Sequence, residues 1–97
     1  MEKNEVEVRG FSFLKEIFEE RKWPFPLYLQ LDEECSAEEL AKRLDLPLNK
    51  IEGVFINGMA QSLDRGVIRP GDRVAFIPPG TPGPYRVILG IVKGSDK

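Results

Sequence analysis

The stretch from Ile51 to Gly80 constrains the fold more than any other part of this chain. It holds two apolar strand candidates, Val54-Phe55-Ile56 and Val74-Ala75-Phe76-Ile77. Asn57-Gly58 follows the first directly. Asn-Gly suits the two φ > 0 positions of a type I′ turn and is a strong short-range hairpin signal. Pro70-Gly71-Asp72 precedes the second strand and reads as a tight turn. Pro78-Pro79 then stops that strand, because proline cannot donate to a ladder.

The segments before this stretch can be read by their periods. Glu5 to Arg9 alternates strictly, which predicts a half-buried strand with Val6 and Val8 inward. From Phe11 to Lys22 the period becomes helical, with Phe13, Leu14, Ile17 and Phe18 on one face and Ser12 as candidate N-cap. This helix is expected to pack its stripe on the core, the alternative being a docking helix for a partner. Trp23-Pro24-Phe25-Pro26 reads as extended linker whose aromatics plug the end of a small core. Leu27, Leu29 and Leu31 alternate with polar residues and predict a second strand, paired with the first.

Ser36 to Leu46 carries the clearest helix signal. Ser36 and Glu39 form a capping box, and Ala37, Leu40, Ala41 and Leu44 keep helical spacing. Glu38–Lys42 and Glu39–Arg43 are favourable i, i+4 pairs, and Pro47 closes the segment. Cys35 precedes the cap. A helix N-terminus favours a thiolate, but Glu33 and Glu34 oppose it, and a structural role is expected. Gln61 to Gly66 reads as an irregular crossing with a brief apolar return at Val67-Ile68. After the breaker run Thr81 to Pro84, Tyr85 to Val92 reads as another strand with Tyr85, Val87, Leu89 and Ile91 on one face.

Composition narrows the function classes. The 97 residues suit a single domain spanning 1–97, and 41% apolar content can supply a core without metal or disulfides. A net charge of −2 argues against a phosphate-backbone binder, so no nucleic-acid partner is expected. Without histidine there is no Ser/His/Asp or Cys/His constellation and no imidazole metal ligand. Neither a catalytic site nor a cofactor or metal is therefore expected. A single cysteine fits a reducing compartment. With acidic residues following Met1, no secretory leader is expected, and the longest apolar run, Val87 to Val92, is too short to span a bilayer. Cytoplasmic location and no membrane association are the expectation. Gly80-Thr81-Pro82-Gly83 fails as a phosphate loop, since it lacks the lysine and its proline removes a backbone donor. The acidic group Glu33, Glu34, Glu38 and Glu39 reads as a solvated face at a helix start rather than a metal site. Arg65, Arg69 and Arg73 read as surface charge or as an anion-binding patch for a partner.

The series Val54 to Ile56, Asn57-Gly58, Leu63, Gly71-Asp72, Arg73 to Ile77 and Pro78-Pro79 resembles the small sulfur carriers of molybdopterin and thiamine biosynthesis (MoaD/ThiS-type). The resemblance covers about residues 6–80, leaving 81–97 as an extension. The element order alone predicts an α+β fold, and the resemblance implies that it is of β-grasp (ubiquitin-like) type, a mixed sheet with one main helix, to which this chain adds an inserted short helix and an extra C-terminal strand. The resemblance also implies a protein partner: an adenylating enzyme, a synthase subunit or a metal-cofactor enzyme. The carriers react through a free Gly-Gly carboxylate. This sequence ends Gly94-Ser95-Asp96-Lys97, and Gly80 and Gly83 are the nearest candidates for a processed terminus. Cleavage after Gly83 would have to cut a Gly-Pro bond, which many proteases resist. The expectation is a carrier-like binding module or accessory subunit that is not an enzyme. The alternative is a true carrier matured to a glycine end, and a weaker third is a small-molecule or RNA-binding regulatory domain. If Val54 and Ile56 face the helix, Phe55 faces away; Arg73, Ala75 and Ile77 likewise leave the core side. These four are the expected partner contacts, and Tyr85 to Val92 is expected to cover that side or to pair two copies as a homodimer.

Overall fold

The computed structural model describes residues 3–79. The elements are β1 (Glu5–Gly10), α1 (Phe13–Glu20), β2 (Leu27–Gln30), β3 (Cys35–Ser36), α2 (Ala37–Arg43), a 3-10 turn at Leu48–Lys50, β4 (Gly53–Ile56), β5 (Met59–Gln61), β6 (Val67–Ile68) and β7 (Arg73–Ile77). Gly80, Gly83 and the expected strand from Tyr85 to Val92 lie outside the described residues.

The chain is α+β, with a mixed five-stranded sheet in the order β2-β1-β7-β4-β5. β1 runs parallel to β7, and the remaining pairs are antiparallel. β3 and β6 form a separate two-stranded ladder, Cys35 opposite Ile68. Among the described residues, no helix is long and apolar enough to cross a membrane.

Strand alternation decides which side is buried. Val6 and Val8 of β1, Val54 and Ile56 of β4, and Val74 and Phe76 of β7 point into one core. Leu14 and Phe18 of α1 join them there, as do Ala37, Leu40 and Ala41 of α2. Both helices therefore pack on the same face of the sheet. The other face is left to Glu7, Arg9, Phe55, Arg73 and Ala75, the alternate residues of those strands.

The first helix is placed by a close approach. Gly10 ends β1, and a Cβ there would lie 2.8 Å from Leu14 Cβ. Phe11 N then donates to Phe76 O at 3.2 Å, so the chain leaves the sheet pinned to β7. The expected Ser12 cap does not form through its side chain. Ser12 adopts φ 58, and its carbonyl, not its hydroxyl, accepts from Lys15 N and Glu16 N.

The Ser36 capping box is present: Ser36 Oγ accepts from Glu39 N at 3.0 Å. The helix it opens stops at Arg43, short of the expected Leu46, and has seven residues against eight in α1. It is therefore no longer than the helix expected to be the short insertion. The reason is a Schellman termination. Leu46 N donates to Ala41 O, Asp45 N donates to Lys42 O, and Asp45 takes φ 54. α1 ends the same way, with Trp23 N on Phe18 O, Lys22 N on Glu19 O, and Lys22 at φ 61. Phe18 and Trp23 supply the apolar contact across that motif, ring centroids 5.3 Å apart and nearly perpendicular. Phe25 packs on Phe18 from another side at 5.4 Å. The linker aromatics thus close one end of the core. Arg21 joins the two helix ends: its guanidinium donates to Leu44 O at 2.6 Å and Asp45 O at 2.7 Å. Carbonyls that α2 leaves without intrahelical partners are satisfied by a cation at the negative end of its dipole.

Candidate functional site

The site begins at the two turns that the sequence singles out. Asn57 and Gly58 take φ 52 and 83, closing a two-residue loop between Ile56 and Met59. The Asn57 side chain then reaches the other turn. Its Nδ2 donates to Asp72 Oδ1 at 2.9 Å, and its Oδ1 accepts from Arg73 N at 2.9 Å. Asp72 in turn accepts from Arg69 N through Oδ2 at 2.8 Å. Asn57 N donates to Arg73 O at 2.8 Å. The Asn-Gly and Gly-Asp turns are therefore one hydrogen-bonded unit, and it anchors the chain where it enters β7 at Arg73.

Registers across β1, β7, β4 and β5 order the outer face into rows. Arg9 is opposite Ala75, Ala75 opposite Phe55, and Phe55 opposite Ala60. In the neighbouring row Tyr28 is opposite Glu7, and Glu7 opposite Arg73. Between these rows lies a shallow hollow of about 340 Å³. Phe55 and Ala75 form part of its wall, Phe11 stands at the exit from β1, and Gly58 lies at the hairpin end. Glu7, Arg9 and Arg73 supply its charge.

The charges form a chain through one carboxylate. Arg9 Nε lies 3.3 Å from Glu7 Oε2, and Arg73 Nε lies 4.0 Å from Glu7 Oε1. Glu7 is largely covered, its side chain 14% exposed, while the arginines stand out at 47% and 74%. One carboxylate against two guanidiniums leaves the hollow with an excess of positive charge.

Three of the four expected contact residues, Phe55, Arg73 and Ala75, share this hollow. Ile77 does not line it. It is 2% exposed, sits opposite Gly53, and belongs to no part of the main core cluster. Of the basic set only Arg73 reaches the hollow. Arg69 pairs with Glu34 at 3.4 Å. In the acidic group at the start of α2, Glu38 pairs with Lys42 and Glu39 with Arg43, at 3.4 and 3.1 Å. Cys35 is buried against Ile68, and burial, foremost, pushes its thiol pKa up; nearby Arg43 opposes the rise and Glu39 adds to it.

Sequence reasoning did not find Glu7, Arg9 and Phe11. The signal was present in β1, where Glu7 and Arg9 alternate with the core valines. Seeing it required the parallel β1–β7 pairing, which brings Glu7 beside Arg73. No family model matches the chain, and no curated protein matches it.

Proposed function

We propose that the chain is a β-grasp protein of the sulfur-carrier type that works as a protein-binding module, with the outer face of its sheet as the docking surface. Two features support the fold assignment: parallel β1 and β7 adjacent in a mixed sheet, and both helices on one face. The observation that carries the functional reading is the hollow shared by Phe55, Arg73 and Ala75. An aromatic ring flanked by small residues and rimmed by arginine is the composition of a docking centre, where aromatic and arginine side chains concentrate binding energy. The partner class is the one the resemblance implies, an adenylating enzyme or a synthase subunit, and the chain performs no catalysis of its own.

The test is a titration of the 15N-labelled chain with a sulfur-carrier adenylating enzyme and, separately, with a synthase large subunit. Shifts centred on Phe55, Arg73 and Ala75 with one of them are expected. Shifts centred on α2, or none with either protein, would overturn the reading. Intact mass after incubation with the adenylating enzyme, ATP and a sulfur donor separates the two carrier-type readings. An unchanged mass is expected, and exchange of a terminal carboxylate oxygen for sulfur would establish the true carrier instead.

A further inference from the structure

The excess of guanidinium in the hollow specifies what it binds. We infer that the partner segment seated there presents a carboxylate to Arg9 and Arg73 beside an apolar side chain that rests on Phe55 and Ala75. This rests on the docking reading above and adds the chemistry of the occupant. Glu7 already takes one edge of each guanidinium, through separate oxygens, at 3.3 and 4.0 Å. Arginine carries five donors in a planar fork, so each has donors beyond the edge facing Glu7. Both side chains are about half exposed or more, so those donors are accessible to a ligand. An incoming carboxylate meets two cations against one anion. The apolar part of the segment covers Phe55, whose neighbours Ala75 and Ala60 are too small to shield it. Glu7 therefore holds the arginines in place and also competes with the ligand for them.

The experiment uses the whole chain and two blocked tripeptides, acetyl-Phe-Glu-Phe-amide and its glutamine counterpart, followed by 15N shifts. The glutamate peptide is expected to shift Arg9, Arg73, Phe55 and Ala75 and to bind roughly threefold to tenfold more tightly than the glutamine one, the range of partly exposed charge-assisted bonds. Glu7→Gln should tighten the glutamate peptide severalfold and leave the glutamine peptide unchanged, which a merely apolar patch would not produce. Arg9→Gln combined with Arg73→Gln should abolish the preference, with thermal unfolding confirming that each variant is folded. Equal affinity for the two peptides overturns the carboxylate assignment while leaving the docking surface standing. No shift at the hollow from either peptide overturns the hollow as the carboxylate site, and the titrations with whole enzymes then decide the docking reading separately. A short single-stranded RNA that occupies these residues more tightly than the glutamate peptide overturns the class of partner.

Discussion

Asn57 Nδ2 donates to Asp72 Oδ1 across 2.9 Å, joining two turns that lie fifteen residues apart in the chain. Each turn motif is common by itself. Their side chains make them a single element, because Asn57 also receives Arg73 N and Asp72 also receives Arg69 N. Asn57 thereby holds both the N–H and the carbonyl of Arg73, the first residue of β7.

The first prediction isolates that bond. Asn57→Gly keeps a residue suited to φ 52 and loses the side-chain bonds. It should cost about 1–2 kcal/mol in urea unfolding, at about 1 kcal/mol net for each of the two side-chain bonds lost. Asp72→Ala should cost about 1–2 kcal/mol, since two accepting oxygens go, one bonded by Arg69 N and one by Asn57 Nδ2. The double variant should cost less than the sum of the two, and strict additivity would show that the two turns act independently. At the next position nothing lies within 4 Å of a Cβ on Gly58, so the cost expected for Gly58→Val comes from its φ of 83 and not from a Cβ clash. About 1 kcal/mol or more is expected there.

The second prediction concerns the approach of α1 to the sheet. Gly10→Ala places a methyl 2.8 Å from Leu14 Cβ, an atom fixed to the helix backbone and unable to swing away. The helix must shift, and overpacking of this kind costs about 1–3 kcal/mol. A lowered denaturation midpoint is expected, with faster amide exchange at Phe11, whose bond to Phe76 O depends on that geometry. A midpoint at the parent value would contradict the contact.

The third prediction goes the other way. Lys22 and Asp45 occupy left-handed positions at the helix ends, at φ 61 and 54, where a Cβ is disfavoured. Lys22→Gly and Asp45→Gly should each stabilise the chain by up to about 1 kcal/mol, because glycine is at ease at this position. Thermal unfolding of the two single variants checks this, and destabilisation by both would refute the Schellman assignment.

The fourth prediction is a pH dependence. Burial raises the Cys35 thiol above its ordinary value of 9.0 in the folded chain. Below that value both states hold the thiol proton and stability is unaffected. As pH rises past it, the unfolded chain ionises first, so stability falls until the raised native pKa is passed. Wild type should lose stability above pH 9.0 relative to Cys35→Ala, and a constant gap would show an ordinary thiol. Alkylation of the native chain should also be slow at pH values where the urea-unfolded chain reacts readily.

Much of this architecture was legible because local and tertiary preferences agree. The Ser36–Glu39 capping box, the alternation in β1 and the Asn57-Gly58 turn each depend on near neighbours and stand where the residue types place them. Helix ends were not legible: Lys22 carries no mark of a left-handed backbone, Asp45 is of a type that tolerates one but is among many acidic residues here, and Arg21 caps α2 from another element. β5 was missed because Met59, 66% exposed, gives no strand-like alternation at that edge. β3 and β6 have two residues each, too few for any period. Of the candidate site, Phe55, Arg73 and Ala75 could be placed from parity within β4 and β7. Glu7 and Arg9 could not, because their place beside Arg73 depends on a parallel pairing between strands more than sixty residues apart.

The most direct test of the proposed docking surface is a binding titration with the proposed partners, a sulfur-carrier adenylating enzyme and a synthase large subunit, run on wild type and on Phe55→Ala to give a dissociation constant for each. Phe55 lies at the hollow and outside the main core cluster, so truncation removes the proposed docking centre with little change in unfolding midpoint. Loss of an aromatic anchor at the centre of an interface costs about 2 kcal/mol or more, so the account predicts a constant raised by at least about thirtyfold. A constant equal to that of wild type, with the variant folded, would contradict it.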